Sequence, residues 1–312
     1  MEKGRVDPNH FAVTAELIPP RDWNPRPLVE QAVRYRGYVD AVDLSDNLLA
    51  IARLSPVVGS FFVKQVGVEP IVQINLRDRN RMGIQSDLMG LAALGVKNIT
   101  ILGGYPAKVG TEPNAKEVYD LETMELVRYV RTFSDEGKLF DGTMMESPPN
   151  FTIGTVENLI GKPIKELIDR LEAKADNGTD FVRTQLVFDI DLIGEWMEEA
   201  RRRGLHERVT IMASILPLKD ADHVGKALRI PGITIPGAFH KRLLESESTE
   251  EGLHIAAELI QQLRRIEGLK GIHIRPIGGA EDSVNKVVRY AGLMPVAGTQ
   301  TETTPAEKAA SA

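Results

Sequence analysis

One carboxylate stands where the sequence otherwise favours burial. The run Phe11-Ala-Val-Thr-Ala-Glu16-Leu-Ile-Pro-Pro20 is apolar and rich in strand-forming residues, with Glu16 near its end. Because prolines cannot continue a central strand, the chain is expected to leave the sheet at this point. A desolvated carboxyl group needs a charged partner or a raised pKa, and a raised pKa suits proton donation. Glu16 is therefore a candidate general acid, with a structural carboxylate as the alternative.

Polar residues and glycines also stand at the ends of other predicted strands. They include Ser45, Gln73, Asn75, Gly103, Gly104, Tyr105 and Gln185. Adjacent glycines in such a place let a flat ligand lie against the backbone. Gln185 is surrounded by apolar residues, so its amide needs hydrogen-bond partners that a ligand with amide-like edges can supply. The dense charge of Arg77-Asp78-Arg79-Asn80-Arg81 favours an internal ion-pair cluster over a phosphate site.

Strand-like runs alternate with helix-like segments along the chain. Eight strands are predicted near residues 11–18, 38–45, 70–76, 98–103, 151–157, 181–189, 209–216 and 271–277. Eight alternations over about 280 residues fit a (β/α)8 barrel. An open dinucleotide-binding sheet would need a glycine-rich turn after the first strand, where this chain has Pro19-Pro20-Arg21. We therefore expect a single-domain α/β protein with a TIM barrel at residues 11–293 and an additional helical segment at 239–267.

The composition narrows the class of protein further. The chain has 312 residues, of which 42% are hydrophobic and 26% charged, and its formal charge is −6, which argues against nucleic acid as a partner. The absence of cysteine excludes disulfides and thiolate metal sites. Residues 1–10 lack an apolar leader segment, and no run is long enough to span a membrane, so a cytoplasmic protein without membrane insertion is expected. Residues 294–312 have the composition of a disordered tail.

Metal chemistry has little support in the sequence. The six histidines are scattered and lack the spacing of a metal motif. A carboxylate-only magnesium site formed by Asp43, Asp46 and Asp78 stays open, as does a metal-dependent barrel lyase or aldolase.

An ordered series of motifs resembles one known family. The motifs include Ala15-Glu16-Leu-Ile-Pro-Pro20, Gln73-Ile-Asn-Leu-Arg77-Asp-Arg-Asn-Arg81, Thr184-Gln185-Leu-Val-Phe-Asp189 and Ile215-Leu-Pro-Leu218. Together with others they extend over roughly residues 11–293, and they are similar to the methylenetetrahydrofolate reductase family in its short bacterial form. The resemblance implies reduction of 5,10-methylenetetrahydrofolate to 5-methyltetrahydrofolate in one-carbon metabolism, with NAD(P)H as reductant and usually with FAD.

The resemblance also implies roles for individual residues. Glu16 would protonate N10 of the folate, and Gln185 would contact the pterin or the nicotinamide. Gly279 stands where many members have a substrate-binding arginine, and Lys174 lies near a family lysine that contacts the flavin. The positions assigned to the flavin or nicotinamide are Ser45, Gln73, Asn75, Gly103, Gly104, Tyr105 and Lys174.

Three departures from the family pattern leave alternatives open. Tyr105 replaces the strand-four aspartate, Gln73 stands where many members have histidine, and Gly279 replaces the arginine. One alternative is direct hydride transfer from NAD(P)H to the folate without FAD. Another is a diverged folate-binding subunit of a methyl-transfer complex without reductase activity. A homo-oligomer and a protein partner from the one-carbon pathway are also left open.

Overall fold

A computed structural model of the chain describes residues 10–278 and 283–293. Within these residues eight parallel strands form a closed barrel in sequence order. The strands are β1 (Ala12–Leu17), β2 (Ala41–Leu44), β3 (Pro70–Asn75), β4 (Asn98–Leu102), β5 (Thr152–Glu157), β6 (Phe181–Leu186), β7 (Thr210–Ile215) and β8 (Leu269–Ile274). Because β1 pairs with both β2 and β8, the ring has no open edge. The predicted (β/α)8 barrel and its eight strands are confirmed.

Helices lie between the strands and cover the outside of the barrel. In the described residues they are α1 (Arg26–Tyr35), α2 (Pro56–Gln65), α3 (Arg81–Ala93), α4 (Thr123–Glu136), α5 (Ile164–Asp176), α6 (Ile190–Arg202), α7 (Leu205–Arg208), α8 (Ala221–Ala227), α9 (Gly237–Glu245), α10 (Glu251–Leu263) and α11 (Ser283–Tyr290). Two short 3-10 helices lie at Leu48–Ala50 and Ala107–Val109. The helical pattern predicted at 239–267 is present as α9 and α10.

One element differs from the prediction for a local reason. Strand β6 ends three residues before the predicted position 189. The side chain of Asp189 accepts a hydrogen bond from the Leu192 amide and so caps the start of α6.

The two faces of each strand have different surroundings. Val13, Ala15 and Leu17 of β1 belong to the apolar core between strands and helices. Since side chains alternate along a strand, Thr14 and Glu16 of the same strand face the barrel interior. The apolar packing therefore lies outside the ring, and the upper interior is left to polar and charged side chains.

Several predictions fall partly or wholly on residues that are not described. These are the extension at residues 1–10, of which His10 is described, the tail at residues 294–312, and the assignment of Gly279. Among the helices of the described residues, none combines the length and apolar character needed to cross a membrane.

Candidate active site

A cavity of about 220 Å³ opens at the carboxyl ends of the strands. Its lining residues are Asp46, Asn47, Leu48, Gln73, Leu102, Gly104, Tyr105, Val156, Arg183, Thr184, Gln185, Ser214, His273 and Arg275. This end of a TIM barrel is where active sites are built, because the loops that follow the strands converge there. The volume lies below the roughly 300–1,000 Å³ typical for drug-sized ligands, so the cavity suits one ring system with the rest of the ligand outside.

The predicted acid, Glu16, lies at the edge of this cavity behind an arginine. Its side chain is fully enclosed, and Oε2 accepts a 2.8 Å hydrogen bond from Nε of Arg275. Oε1 is buried and has no hydrogen-bond partner among the described residues. Arg275 lines the cavity whereas Glu16 does not, so the carboxylate meets the cavity through the guanidinium. An acid must carry the proton it donates, and an ion pair with a guanidinium stabilises the carboxylate without that proton.

Gln185, the second predicted ligand contact, lines the cavity at the end of β6. Its Oε1 accepts hydrogen bonds from Nη1 of Arg275 at 2.9 Å and from the amide of Leu186 at 3.1 Å. Its Nε2 donates to the carbonyl of Pro231 at 3.1 Å. Because Arg275 can only donate, these contacts assign the orientation of the amide. One Nε2 hydrogen is left, so Gln185 in this arrangement offers a ligand a donor.

Tyr105 and Gly104 form another wall of the cavity. Gly104 has a φ of +85°, and a Cβ added there would lie 3.4 Å from the Cβ atoms of Asn75 and Arg77. Only glycine adopts this backbone conformation without strain. The hydroxyl of Tyr105 interacts with the guanidinium of Arg275. Burial lowers the pKa of Arg275, but the negative charge of Glu16 and the smaller effect of Tyr105 outweigh burial and raise it. The phenol in the place of the family aspartate is thus a partner of Arg275.

A second ion pair lies deeper in the barrel. Arg183 of β6 is paired with Asp43 of β2 and donates to Oγ1 of Thr100 at 2.8 Å. Burial lowers the pKa of Arg183 to about 9, although the negative charge of Glu16 acts in the opposite direction. The pair leaves this part of the interior without net charge, which is the condition under which buried ions are tolerated.

His273 completes the interior network. Its Nδ1 lies 2.9 Å from Oγ1 of Thr14, and its Nε2 lies 3.4 Å from Nη1 of Arg183. Because the guanidinium can only donate, Nε2 acts as the acceptor and the imidazole is neutral. Burial and the charges of Arg183 and Arg275 lower the pKa of His273 well below 6.5, in agreement with that assignment.

The charged segment after β3 is an ion-pair cluster, as predicted. Arg77 bonds Asp78 at 2.6 Å, and Arg79 pairs with both Asp46 and Asp87. Although burial acts in the opposite direction, hydrogen bonds from Arg77 and its neighbours lower the pKa of Asp78 to about 2. Burial raises the pKa of Asp46 despite its arginine partner.

The alternative magnesium site finds its carboxylates already engaged. Asp43, Asp46 and Asp78 each have a guanidinium partner, Arg183, Arg79 and Arg77 respectively. A cation replacing these arginines would have to displace three buried or half-buried ion pairs.

The matched family gives this site its context. The family model described as methylenetetrahydrofolate reductase matches residues 3–292. The chain belongs to the methylenetetrahydrofolate reductase family. Methylenetetrahydrofolate reductase 1 of Schizosaccharomyces pombe is 25% identical over 252 residues, which cover 78% of this chain and 39% of that protein. Methylenetetrahydrofolate reductase 2 of Saccharomyces cerevisiae is 24% identical over 186 residues, which cover 58% of this chain and 29% of that protein.

A solved structure shares the fold. A protein from Clostridium thermocellum, described as binding two copies of 5-methyl-5,6,7,8-tetrahydrofolic acid, superposes with a TM-score of 0.59 at 14% identity. The match covers 90% of this chain and 94% of that chain. The chain spans less than half the length of both yeast reductases.

The positions assigned to a cofactor divide into two groups. Gln73, Gly104 and Tyr105 line the cavity, whereas Ser45, Asn75, Gly103 and Lys174 do not. The side-chain amide of Asn75 is held by Asp46 and Asp78. Lys174 lies on α5, where its amino group donates to the carbonyl of Val156 at 2.6 Å and pairs with Glu157.

Because the resemblance to this family implies FAD, the contacts of the assigned residues show whether they are free to bind it. Lys174 is buried on α5, where its ammonium group bonds the carbonyl of Val156 and shares the Glu157 carboxylate with Arg170, so it does not reach a ligand in the barrel mouth. Ser45 is fully buried behind the lining residues. Gln73, Gly104 and Tyr105 line the cavity, but Ser45, Asn75, Gly103 and Lys174 do not, so the assigned residues together do not form a FAD site in this arrangement and we derive no chemical step through FAD.

Sequence reasoning missed the two arginines and Ser214 as parts of the site. A signal was present, because Arg183 stands two residues before Gln185 and Arg275 two residues after His273. Residues two apart on a strand share a face. An arginine two positions away from a residue that faces the barrel interior is therefore also expected to face the interior.

Proposed function

We propose that this protein reduces a 5,10-methylenetetrahydrofolate derivative to the 5-methyl form with NAD(P)H as the hydride source. The observation that carries the proposal is the convergence of Glu16, Gln185 and Arg275 at the mouth of the barrel in a chain that belongs to this family. The two residues that the sequence assigned to proton donation and to pterin binding share one guanidinium. Their separation of 169 positions in sequence makes this convergence a property of the fold.

In this reaction Glu16 protonates N10 of the folate and thereby opens the five-membered ring to the N5 iminium ion that accepts hydride. Oε1 is the carboxylate oxygen without a partner, because Oε2 is bonded to Arg275, and it reaches the folate once Arg275, which lies between Glu16 and the cavity, moves aside. The low dielectric of the enclosed position strengthens the interaction with charge that develops at N10.

Gln185 and the wall opposite it orient the ring. The remaining Nε2–H of Gln185 donates to a carbonyl oxygen of the pterin or of the nicotinamide carboxamide. Gly104 lines the cavity, and a planar ring can lie against its backbone. Holding donor and acceptor carbons in contact provides a large part of such a rate enhancement.

Direct transfer of hydride from the nicotinamide to the folate is the version of the reaction that these residues support. Its support is the commitment of Asn75 and Lys174 to protein contacts in place of a flavin. An absorption spectrum of the purified, active protein tests it. The expected spectrum lacks flavin bands, and a stoichiometric flavin that copurifies with activity would contradict direct transfer.

Replacement of the acid tests the proposal as a whole. We expect Glu16→Gln to lower NAD(P)H-dependent turnover of methylenetetrahydrofolate by about 10²–10⁴-fold, the usual contribution of a general acid. Glu69→Gln is the matched control, because Glu69 is a partly buried carboxylate that binds Asn98 just before β3, at the opposite end of the barrel. We expect the control to keep wild-type turnover. Wild-type turnover in Glu16→Gln would refute the assigned role.

A second candidate is a folate-binding subunit without reductase activity. The observation in its favour is the ion pair between Glu16 and Arg275, since a paired carboxylate can serve to hold a loop or a ligand without donating a proton. This alternative predicts binding of 5-methyltetrahydrofolate in a calorimetric titration and no NAD(P)H oxidation with methylenetetrahydrofolate at any pH. A homo-oligomer and a one-carbon-pathway partner also stay predictions.

A further inference from the structure

Arg275 holds the two predicted ligand contacts together. Its Nε bonds Glu16 and its Nη1 bonds Gln185, while its guanidinium also interacts with the hydroxyl of Tyr105. The backbone amide of Arg275 donates to the carbonyl of Ile215 at 2.8 Å, which fixes the main chain beside β7. Any change of partner at this residue is therefore a movement of the side chain alone.

The guanidinium has alternative acceptors within its present reach. A guanidinium carries five N–H donors and needs several acceptors when it is buried. Loss of the bond to Glu16 leaves the bonds to Gln185 and Tyr105 in place. Release of the carboxylate therefore leaves Arg275 hydrogen-bonded but without a counter-charge, so an electron-rich or anionic atom of the ligand has to take the place of the carboxylate.

The other charges around Glu16 do not replace Arg275. The charged and titratable groups that face Glu16 or its partner are Asp43 on β2, Arg53 after β2, Tyr105 after β4, Arg183 on β6, His273 on β8 and Arg275. Arg183 is neutralised by Asp43, and His273 is neutral. Arg53 bonds the carbonyl of Pro19 at 2.9 Å and acts on Glu16 only through its field. Arg275 is the cation in direct contact.

We propose that Arg275 is a positioning residue that controls when Glu16 carries a proton. Without ligand, the guanidinium holds Glu16 as the carboxylate. When a folate enters, Arg275 keeps its bonds to Gln185 and Tyr105 and exchanges Glu16 for the ligand, and the released carboxylate takes one proton from solvent. That proton then passes to N10 of the folate, and the carboxylate pairs with Arg275 again, so protons and charge balance over one cycle. This inference rests on the proposed function.

The protonation of Glu16 can be measured without turnover. The carbonyl stretch of a protonated carboxyl group is visible in infrared difference spectra, and Glu16→Gln identifies the band by its loss. In Arg275→Met we expect the Glu16 band to persist to higher pH than in the wild type, because the cation that contacts the carboxylate has been removed. Arg275→Lys keeps the charge and should keep a midpoint near that of the wild type.

Binding of 5-methyltetrahydrofolate tests whether Arg275 releases Glu16. We expect 5-methyltetrahydrofolate to raise the midpoint of the Glu16 band in the wild type and to leave it unchanged in Arg275→Met. A midpoint that is the same in the wild type and Arg275→Met, or a wild-type midpoint that bound folate does not move, would overturn the inference. Arg275→Lys serves as the folded reference if the methionine variant proves unstable.

The two proposals fail in different ways. If folate binds and the band behaves as expected but no NAD(P)H is oxidised, the proposed function fails and the control of Glu16 by Arg275 stands. If turnover is present and the pH profiles of kcat/KM coincide for wild type and Arg275→Met, the positioning role fails alone. With both correct, the activity of Arg275→Met persists to a higher pH than that of the wild type.

Discussion

His273 shows at the scale of one residue how the interior of the barrel depends on pH. The folded protein holds this imidazole neutral with a pKa well below 6.5, whereas the unfolded chain binds a proton near pH 6.5. Because the unfolded state binds more protons below that value, acid favours unfolding. We expect the free energy of unfolding to fall by up to about 1.4 kcal/mol per pH unit below 6.5 on account of His273. Urea unfolding of wild type and His273→Gln over this pH range measures it.

The comparison depends on slopes rather than on absolute stability. His273→Gln loses contacts with Thr14 and Arg183 and is expected to be less stable at every pH. Its free energy of unfolding should nevertheless fall less steeply with acid than that of the wild type. Parallel slopes would mean that His273 takes up its proton in the folded protein over the same pH range as in the unfolded chain.

Helix α3 shows at the scale of one element why identical substitutions can have opposite effects. Gly95 follows its C-terminus with a φ of +69°, a conformation that favours glycine there, whereas Gly90 lies inside the helix. An alanine at position 90 would make only ordinary contacts, its nearest neighbour being Val57 at 3.9 Å. We expect Gly95→Ala to destabilise the protein by about 1–2 kcal/mol and Gly90→Ala to stabilise it by about 0.5–1 kcal/mol. Thermal unfolding of both variants measures the difference, and equal signs would contradict it.

The ion pair of Arg183 and Asp43 acts at the scale of the whole molecule, because it joins β6 to β2 through the interior of the barrel. Arg183→Met leaves a buried carboxylate without its partner. We expect this variant to lose about 3–5 kcal/mol of unfolding free energy and the double variant Asp43→Leu/Arg183→Met to recover most of it. Urea denaturation of the two variants tests the expectation. A loss below about 1 kcal/mol in the single variant would show that the pair is not an isolated buried charge pair.

The sequence by itself determined the architecture. The eight strands were readable because each is a short segment rich in apolar and β-branched residues between helical segments, and this signal lies within a few neighbouring residues. It also placed Glu16, Gln73, Gly104, Tyr105 and Gln185 at one end of the barrel, since the carboxyl ends of parallel strands share an edge. Which of them opens to the cavity did not follow from that pattern.

The tertiary structure alone decided the partners. Arg275 and Glu16 are 259 positions apart, and Arg183 reaches Asp43 through the interior only because the ring closes. Packing of α5 against β5 placed Lys174 against Glu157, away from the cavity to which its similarity to a family lysine had assigned it. Burial of a charge depends on what surrounds it in three dimensions, and no local pattern of residue types records which opposite charge will arrive there.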